Sequence, residues 1–293
     1  MGILISADTS VIVQGITGRE AGFWTEHMLD AGTKIVGGVT PGKGGQKVRG
    51  IPVFDTVRQL VDETSVEASV IFVPPRFAKD AAFEALDAGV RLVVLLTDGV
   101  PLHDSLEIKA FSRQVGARVI GPNTPGMLTV GQAMLGFFPF WLGHVYQPGK
   151  VGLVSRSGSL INEVGSRIVA SGHGLTSAVG IGGDVAPCTR TVEVVALLEA
   201  DPETHVIVVV GEIGGTMEEE VAELVKHGGV SKPIIALIAG RSAPPEKQMG
   251  HAGAIVSGGR GTYTSKVEAL RRSGVLVAES PSQIGSLVKE ALS

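Results

Sequence analysis

Val11-Ile12-Val13-Gln14-Gly15-Ile16-Thr17-Gly18-Arg19-Glu20-Ala21-Gly22 reads as a strand, a glycine turn and the approach to a helix. Three β-branched residues in a row suit a strand buried on both faces, because branching at Cβ fits the pleat. Gly15 and Gly18 allow a tight turn and a close backbone approach to a ligand. A helix is expected from Phe23 to Ala31. A strand running through glycines into a helix start is an anion cradle, because free N–H groups and the positive helix end both face the turn. The glycine spacing is not GxGxxG, so this turn specifies an α/β fold and an anion, not a particular nucleotide.

The same pattern recurs along the first half. A strand at Lys34–Gly38 leads into Val39-Thr40-Pro41-Gly42-Lys43-Gly44-Gly45, a loop whose lysine either meets a phosphate or is an exposed turn residue. Strand 68–73 ends at Pro74-Pro75, strand 91–96 ends at Thr97-Asp98-Gly99, and helices 77–88 and 104–115 lead on to strand 118–121. Ligands bind outside the carboxyl ends of such strands, so these ends outline one crevice.

In the second half, strand Lys150–Ser155 runs into Ser157-Gly158-Ser159 and helix 160–170, a second helix start suited to an anion or simply to a serine cap. Strand Thr176–Gly180 ends at Gly182-Gly183-Asp184, and strand His205–Gly211 ends at Glu212, where an active-site carboxylate belongs. Glu218, Glu219 and Glu220 read as solvated complements to a helix dipole. Strand Pro233–Ile238 precedes Met249-Gly250-His251-Ala252-Gly253-Ala254, continuing to Gly258-Gly259. His251 has only small neighbours, so a substrate can reach its imidazole, and a neutral ring nitrogen can attack phosphorus and pass the group on. The alternative is a histidine with a structural hydrogen bond. Helix 264–272, strand 275–278 and helix 282–291 complete a second doubly wound sheet.

The chain's 293 residues suit two domains, and 41 glycines with a 44% hydrophobic, aromatic-poor composition suit parallel sheets. A net charge of −4 argues against a nucleic-acid partner. No apolar run is long enough to span a membrane. One cysteine, Cys188, excludes an internal disulfide and fits a reducing cytoplasm. The start of the chain has no signal-peptide pattern. The aromatic patch Phe137-Phe138-Pro139-Phe140-Trp141-Leu142 is either a packed interdomain segment or part of a partner interface or pocket.

Six motifs in order, GITGRE (15–20), GGVTPGKGG (37–45), VSRSGS (154–159), GIGGD (180–184), GEIGG (211–215) and GHAGAI (250–255), resemble the alpha subunit of succinate–CoA ligase along nearly the whole chain. The resemblance implies a Rossmann-like CoA-binding domain at 1–125, a joint at 126–149 and a flavodoxin-like ligase domain at 150–293. It implies an ATP-grasp beta subunit that binds Mg2+ with ATP or GTP and phosphorylates His251, with Glu212 holding the other ring nitrogen. Ser157 and Gly158 match the phosphate cradle. Thr17, Gly18, Arg19, Glu20, Lys43, Leu96, Thr97 and Asp98 match positions that hold CoA.

Several positions depart from the family: Ala21 for a glycine, Thr124 for a cysteine, Met134 for a lysine, and Asn162 for a substrate-contacting tyrosine. Residues 137–146 are about three longer than usual, and Ala186–Arg190 replaces a run of small residues. Asn162 is therefore expected to contact the acid, and Arg190 either contacts it too or simply stands on a solvent-facing helix start. Succinate is the default, with malate, citrate or another substituted acid as the alternative. A CoA-binding regulator without catalysis is the competing class.

Overall fold

The computed structural model describes residues 2–243, 250–256 and 261–293. Met249, Gly258 and Gly259 of the histidine loop lie outside these. The chain forms two compact units, one of Leu4–Phe138 with Ala186–Thr189, the other chiefly of Pro139–Val185 and Arg190–Ser293.

The first unit runs β1 (Ser10–Gln14), α1 (Arg19–Asp30), β2 (Lys34–Val39), β3 (Lys47–Val48), β4 (Ile51–Phe54), α2 (Val57–Glu63), β5 (Ala68–Ile71), α3 (Pro75–Asp87), β6 (Leu92–Leu95), α4 (Leu102–Gln114) and β7 (Arg118–Ile120). The sheet order is β3-β4-β2-β1-β5-β6-β7, parallel apart from the short β3–β4 pairing. Without β3 this is the 3-2-1-4-5-6 order of the Rossmann fold, whose ligands sit where the winding reverses, here between β1 and β5. Every residue of β1, β5 and β6 is buried. Ile12, Leu60, Ile71, Leu86, Val93 and Ile108 anchor the core.

Helix α1 begins four residues before the expected Phe23. Ala21 is 2% exposed and packs inside the first turn, and Gly22 is helical rather than part of the turn. Its start at Gly18 has no side-chain cap, which leaves backbone N–H groups open to a ligand. Elsewhere Thr56 caps α2 by accepting from Gln59 N, and Pro75 opens α3 with its φ preset.

The segment expected as a joint is divided between the two units. β8 (Gly126–Thr129) and β9 (Ala133–Gly136) form a buried antiparallel hairpin in the first. Thr33 Oγ1 donates to Met134 O at 2.8 Å and accepts from Met134 N at 2.9 Å, fixing the hairpin's place. Cys188, read as part of an acid-facing departure, is 6% exposed and belongs to the first unit's core.

The second unit runs β10 (Pro148–Ser155), α5 (Gly158–Ala170), β11 (Leu175–Gly180), α6 (Thr191–Ala200), β12 (Val206–Glu212), α7 (Met217–Lys226), β13 (Ile234–Ala239), α8 (Tyr263–Arg272), β14 (Leu276–Ala278) and α9 (Ile284–Ala291). These strands are parallel, in the order β14-β13-β12-β10-β11. Renumbered, that is the flavodoxin-like 2-1-3-4-5 arrangement, whose switch point lies between β10 and β12. The turns after β10, β11 and β12 therefore share one edge. Gly152 lets α6 approach: a Cβ there would lie 2.5 Å from Leu198 Cδ2.

Candidate active site

The second unit assembles a charged site at its switch point. Glu212 ends β12 and is 6% exposed; Arg156 follows β10 and is 2% exposed. Arg156 Nη2 lies 3.1 Å from Glu212 Oε1, an ion pair without hydrogen-bond alignment. Glu212 Oε2 faces His251 Nδ1 at 2.7 Å. An ionised carboxylate can only accept, so Nδ1 carries the proton, and in the neutral ring Nε2 keeps its lone pair. The hydrogen bond to Glu212 is the largest influence on His251 and raises its pKa above 6.5. Burial and the Arg156 charge pull it down, and Asp184 adds to the rise.

Missing side chains shape the seat of the histidine loop. A Cβ on Gly183 would lie 2.4 Å from His251 Cγ, so the ring rests where a methyl group cannot stand. Gly253 N donates to Gly183 O at 3.0 Å. Gly214 has φ +87°, and a Cβ on it would meet Gly253 O at 2.3 Å. The turns after β11 and β12 thus hold the loop through backbone contacts.

Behind this layer runs a buried chain of charges. Arg156 Nη1 donates to Gly214 O at 3.2 Å and lies 3.8 Å from Glu218 Oε1. Glu218 and Lys266 are fully buried and paired; Lys266 Nζ also donates to Glu219 Oε2 at 2.9 Å and Gly215 O at 3.2 Å. The reading of Glu218 as a solvated dipole complement is therefore corrected. Its partner stands 48 residues away in sequence, beyond any local pattern. Glu219 and Glu220 remain partly exposed, though each is ion-paired.

Ser157 caps α5, accepting from Leu160 N at 3.3 Å, and Gly158 is that helix's first residue. Asn162, one turn on, accepts from the Tyr146 hydroxyl at 2.6 Å through Oδ1 and donates to Gly158 O at 3.4 Å through Nδ2. Burial pushes the Tyr146 pKa far up, so the phenol stays protonated and remains a donor. Arg190 caps α6 and pairs with both carboxylate oxygens of Glu220, the Nε contact being 2.6 Å. Arg190 also lines a cavity of about 180 Å3 with Arg156, Thr216, Gly253, Val185 and Ile255. Asn162 is not among the residues lining it.

The first unit holds two cavities of about 550 and 560 Å3 that share Gly18, Phe72, Val73 and Pro74 as a wall. They lie at the switch point between β1 and β5. Gly15 has φ +78°, and a Cβ there would meet Phe72 O at 2.5 Å, so only glycine allows this turn. Arg19, Glu20, Leu96, Thr97 and Asp98 line the first cavity, and Phe137 closes it. Thr17 Oγ1 donates to Thr40 Oγ1 at 3.2 Å, tying the turn after β1 to the end of β2. Lys43 is exposed on the loop after β2 and lines neither cavity. Both the uncapped helix start and the paired cavities suit a long ligand carrying phosphate.

Sequence reasoning did not single out Arg156, Lys266, Tyr146 or Phe137 as site residues. Phe137 packs against Trp24 and Phe72 at centroid distances of 5.2 and 5.4 Å, whereas Trp141 is 48% exposed in the other unit. The aromatic patch thus divides into a pocket wall and an exposed part. The available signals were Arg156's place inside the VSRSGS motif and the rarity of tyrosine, of which the chain has two.

Residues 6–99 match the family described as CoA binding domain, and residues 154–276 match CoA-ligase. The chain is 51% identical over 292 residues to the ADP-forming sulfoacetate-CoA ligase subunit SauD of Bilophila wadsworthia, with 100% of both chains covered. It is 48% identical over 294 residues to the succinate–CoA ligase (ADP-forming) subunit alpha of Aquifex aeolicus, covering 100% of this chain and 95% of that one. Among solved structures, an ATP citrate lyase of Methanosaeta concilii in complex with (3S)-citryl-CoA aligns with a TM-score of 0.91 at 27% identity. That match covers 98% of this chain and 50% of the lyase chain, so this chain spans about half the length of that enzyme. Among the described residues, no helix is long and apolar enough to cross a membrane.

Proposed function

The chain belongs to the alpha-subunit family of ADP-forming acid–CoA ligases, and on that premise we propose that His251 carries a phosphoryl group from a nucleoside triphosphate to a short, doubly anionic carboxylic acid. The observation that supports this most directly is the Glu212–His251 hydrogen bond of 2.7 Å, which engages Nδ1 and orients the ring with Nε2 as the attacking nitrogen. An ATP-grasp beta subunit presents the Mg2+-bound nucleotide. His251 Nε2 attacks the terminal phosphorus; the N–P bond forms as the P–O bond to the diphosphate breaks. Glu212 keeps the Nδ1 proton and stabilises the positive charge on the ring. A carboxylate oxygen of the acid then attacks phosphorus, the N–P bond breaks and His251 is restored. The resulting acyl phosphate reacts with the CoA thiol, whose sulfur bonds the acyl carbon as phosphate leaves with the thiol's proton.

Ser157 and Gly158 at the start of α5 receive the phosphoryl oxygens through backbone N–H groups. The uncapped start of α1, with Thr17 to Glu20, and the Leu96–Asp98 turn receive CoA, and Lys43 meets its phosphates from the exposed loop. The acid meets Asn162 and Arg190. Sulfoacetate-type acids rank ahead of succinate because the relative of that name is 51% identical and an amide replaces the family's phenol at 162.

The test is the complex reconstituted with its beta partner. Labelled ATP is expected to give an acid-labile, base-stable adduct that His251→Asn abolishes. A panel of sulfoacetate, malate, citrate and succinate then ranks the acids by kcat/KM. Full labelling of His251→Asn would sink the mechanism, and a wild-type complex that takes no label would favour the non-catalytic class; succinate as the best acid would restore the family default.

A further inference from the structure

The switch point between β10 and β12 places Arg156 directly behind the Glu212–His251 pair. We propose that Arg156 is the positioning residue of the phosphoryl-transfer site: its guanidinium lies against the far oxygen of Glu212, fixes which oxygen faces Nδ1 and so aims Nε2, while its charge offsets part of the basicity that Glu212 lends the His251 ring. This inference rests on His251 as the phosphoryl carrier.

A carboxylate against Nδ1 orients an imidazole, yet it also makes the ring more basic, and a protonated ring has no lone pair at Nε2. Glu212 therefore needs an opposing positive charge close by. Arg156 supplies it from 3.1 Å. Among the described residues, the charged groups acting on His251 include Glu212 from the end of β12, Asp184 from the turn after β11, and Arg156 from the turn after β10. Of these three, only Arg156 opposes protonation, in the same direction as burial of the ring. The direction of each influence agrees: the two carboxylates raise the affinity of the ring for a proton and the guanidinium lowers it.

Arg156 is held for this task from three sides. Nη1 donates to Gly214 O at 3.2 Å and faces Glu218 at 3.8 Å; Glu218 is in turn fixed by the buried Lys266. A Cβ on Gly253 would lie 2.6 Å from Nη2, so the histidine loop itself closes over the guanidinium. Among the described residues, Nε of Arg156 has no hydrogen-bond partner although the side chain is 2% exposed. An unsatisfied buried donor is a cost to folding, which fits a group kept for its charge and placement. No single lysine nitrogen reaches Glu212, Gly214 O and Glu218 together.

The experiment follows His251 by NMR titration of 15N-histidine-labelled full chain and measures the pH profile of His251 phosphorylation in the complex, for wild type, Arg156→Gln and Arg156→Lys. In Arg156→Gln the His251 pKa and the acidic limb of the profile are expected to rise by about one pH unit. In Arg156→Lys the limb is expected to stay and the plateau rate to fall about tenfold, through lost placement. An unmoved or lowered pKa in Arg156→Gln overturns the proposal. So does Arg156→Lys with a wild-type plateau or a shifted limb, which keeps the test decisive should Arg156→Gln not fold. A wild-type complex that takes no label at His251 removes the carrier reading instead, and the titration still judges the arginine on its own.

Discussion

The Tyr146 hydroxyl donates to Asn162 Oδ1 across 2.6 Å and so fixes which way the amide points. With Oδ1 engaged, Nδ2 turns toward the first turn of α5, where it donates to Gly158 O. Nδ2 has a second hydrogen to offer an acid beside the phosphate cradle. A phenol thus reaches Asn162 from the 137–146 segment. Tyr146→Phe releases the amide while keeping the packing. Its kcat/KM for the preferred acid is expected to fall by about three- to tenfold, the worth of one neutral hydrogen bond, with CoA affinity unchanged. Equal values for mutant and wild type across the acid panel would remove both residues from acid selection.

His251 links stability and activity with opposite signs. Its folded pKa is raised above 6.5 by Glu212, so the folded state holds the proton more tightly than the unfolded chain. That stabilisation is complete below the unfolded pKa and is lost as pH rises through the folded pKa. In the proposed mechanism the neutral nucleophile appears over the same interval. Denaturation from pH 6 upward is expected to show falling stability while phosphorylation rises, and His251→Gln is expected to flatten the first curve. Stability rising over that range in wild type but not in His251→Gln would contradict the assignment.

Lys266→Met leaves Glu218 buried with its main countercharge gone. Removing one partner of a buried pair costs about 3–5 kcal/mol. Urea unfolding is expected to show a loss of that size, and a loss under about 1 kcal/mol would show the pair to be dispensable.

Gly15→Ala meets two obstacles at once, φ of +78° and a Cβ 2.5 Å from Phe72 O. The dihedral alone costs about 1–2 kcal/mol. The displaced turn is expected to weaken CoA binding at least tenfold by calorimetry while His251 remains phosphorylatable in the complex. Undiminished CoA affinity would separate this turn from the ligand site.

Local chemistry made the parallel strands and their glycine-rich ends readable, because β-branched runs and turn residues act within a few positions. The same locality explains the errors. Gly22 looked like part of the turn, yet tertiary packing of Ala21 draws it into α1. α6 has no clear period in the sequence because Val192, Ala196, Leu197 and Ala200 are apolar as well, although only one face, Thr191, Val194, Val195 and Leu198, is buried. β3, β4, α2 and the β8–β9 hairpin are too short to show a period. His251, Glu212 and Ser157 stood out because each follows a strand end or a glycine. Arg156 and Lys266 did not, because their importance comes from partners 56 and 48 residues away.

Gly183 differs from Gly15 in a way that bears on how relatives are classified. Its φ lies outside the left-handed region, so an alanine there is free of backbone strain, and the obstacle is the ring of His251. A one-codon change from glycine to alanine therefore yields a chain with its core, its CoA cavities and even its histidine intact, but with nowhere for that histidine to rest. Such a pseudoenzyme would pass any inspection that looks only for position 251. In this chain the absence of a side chain at 183 is as much a condition for the proposed phosphoryl carrier as the imidazole itself.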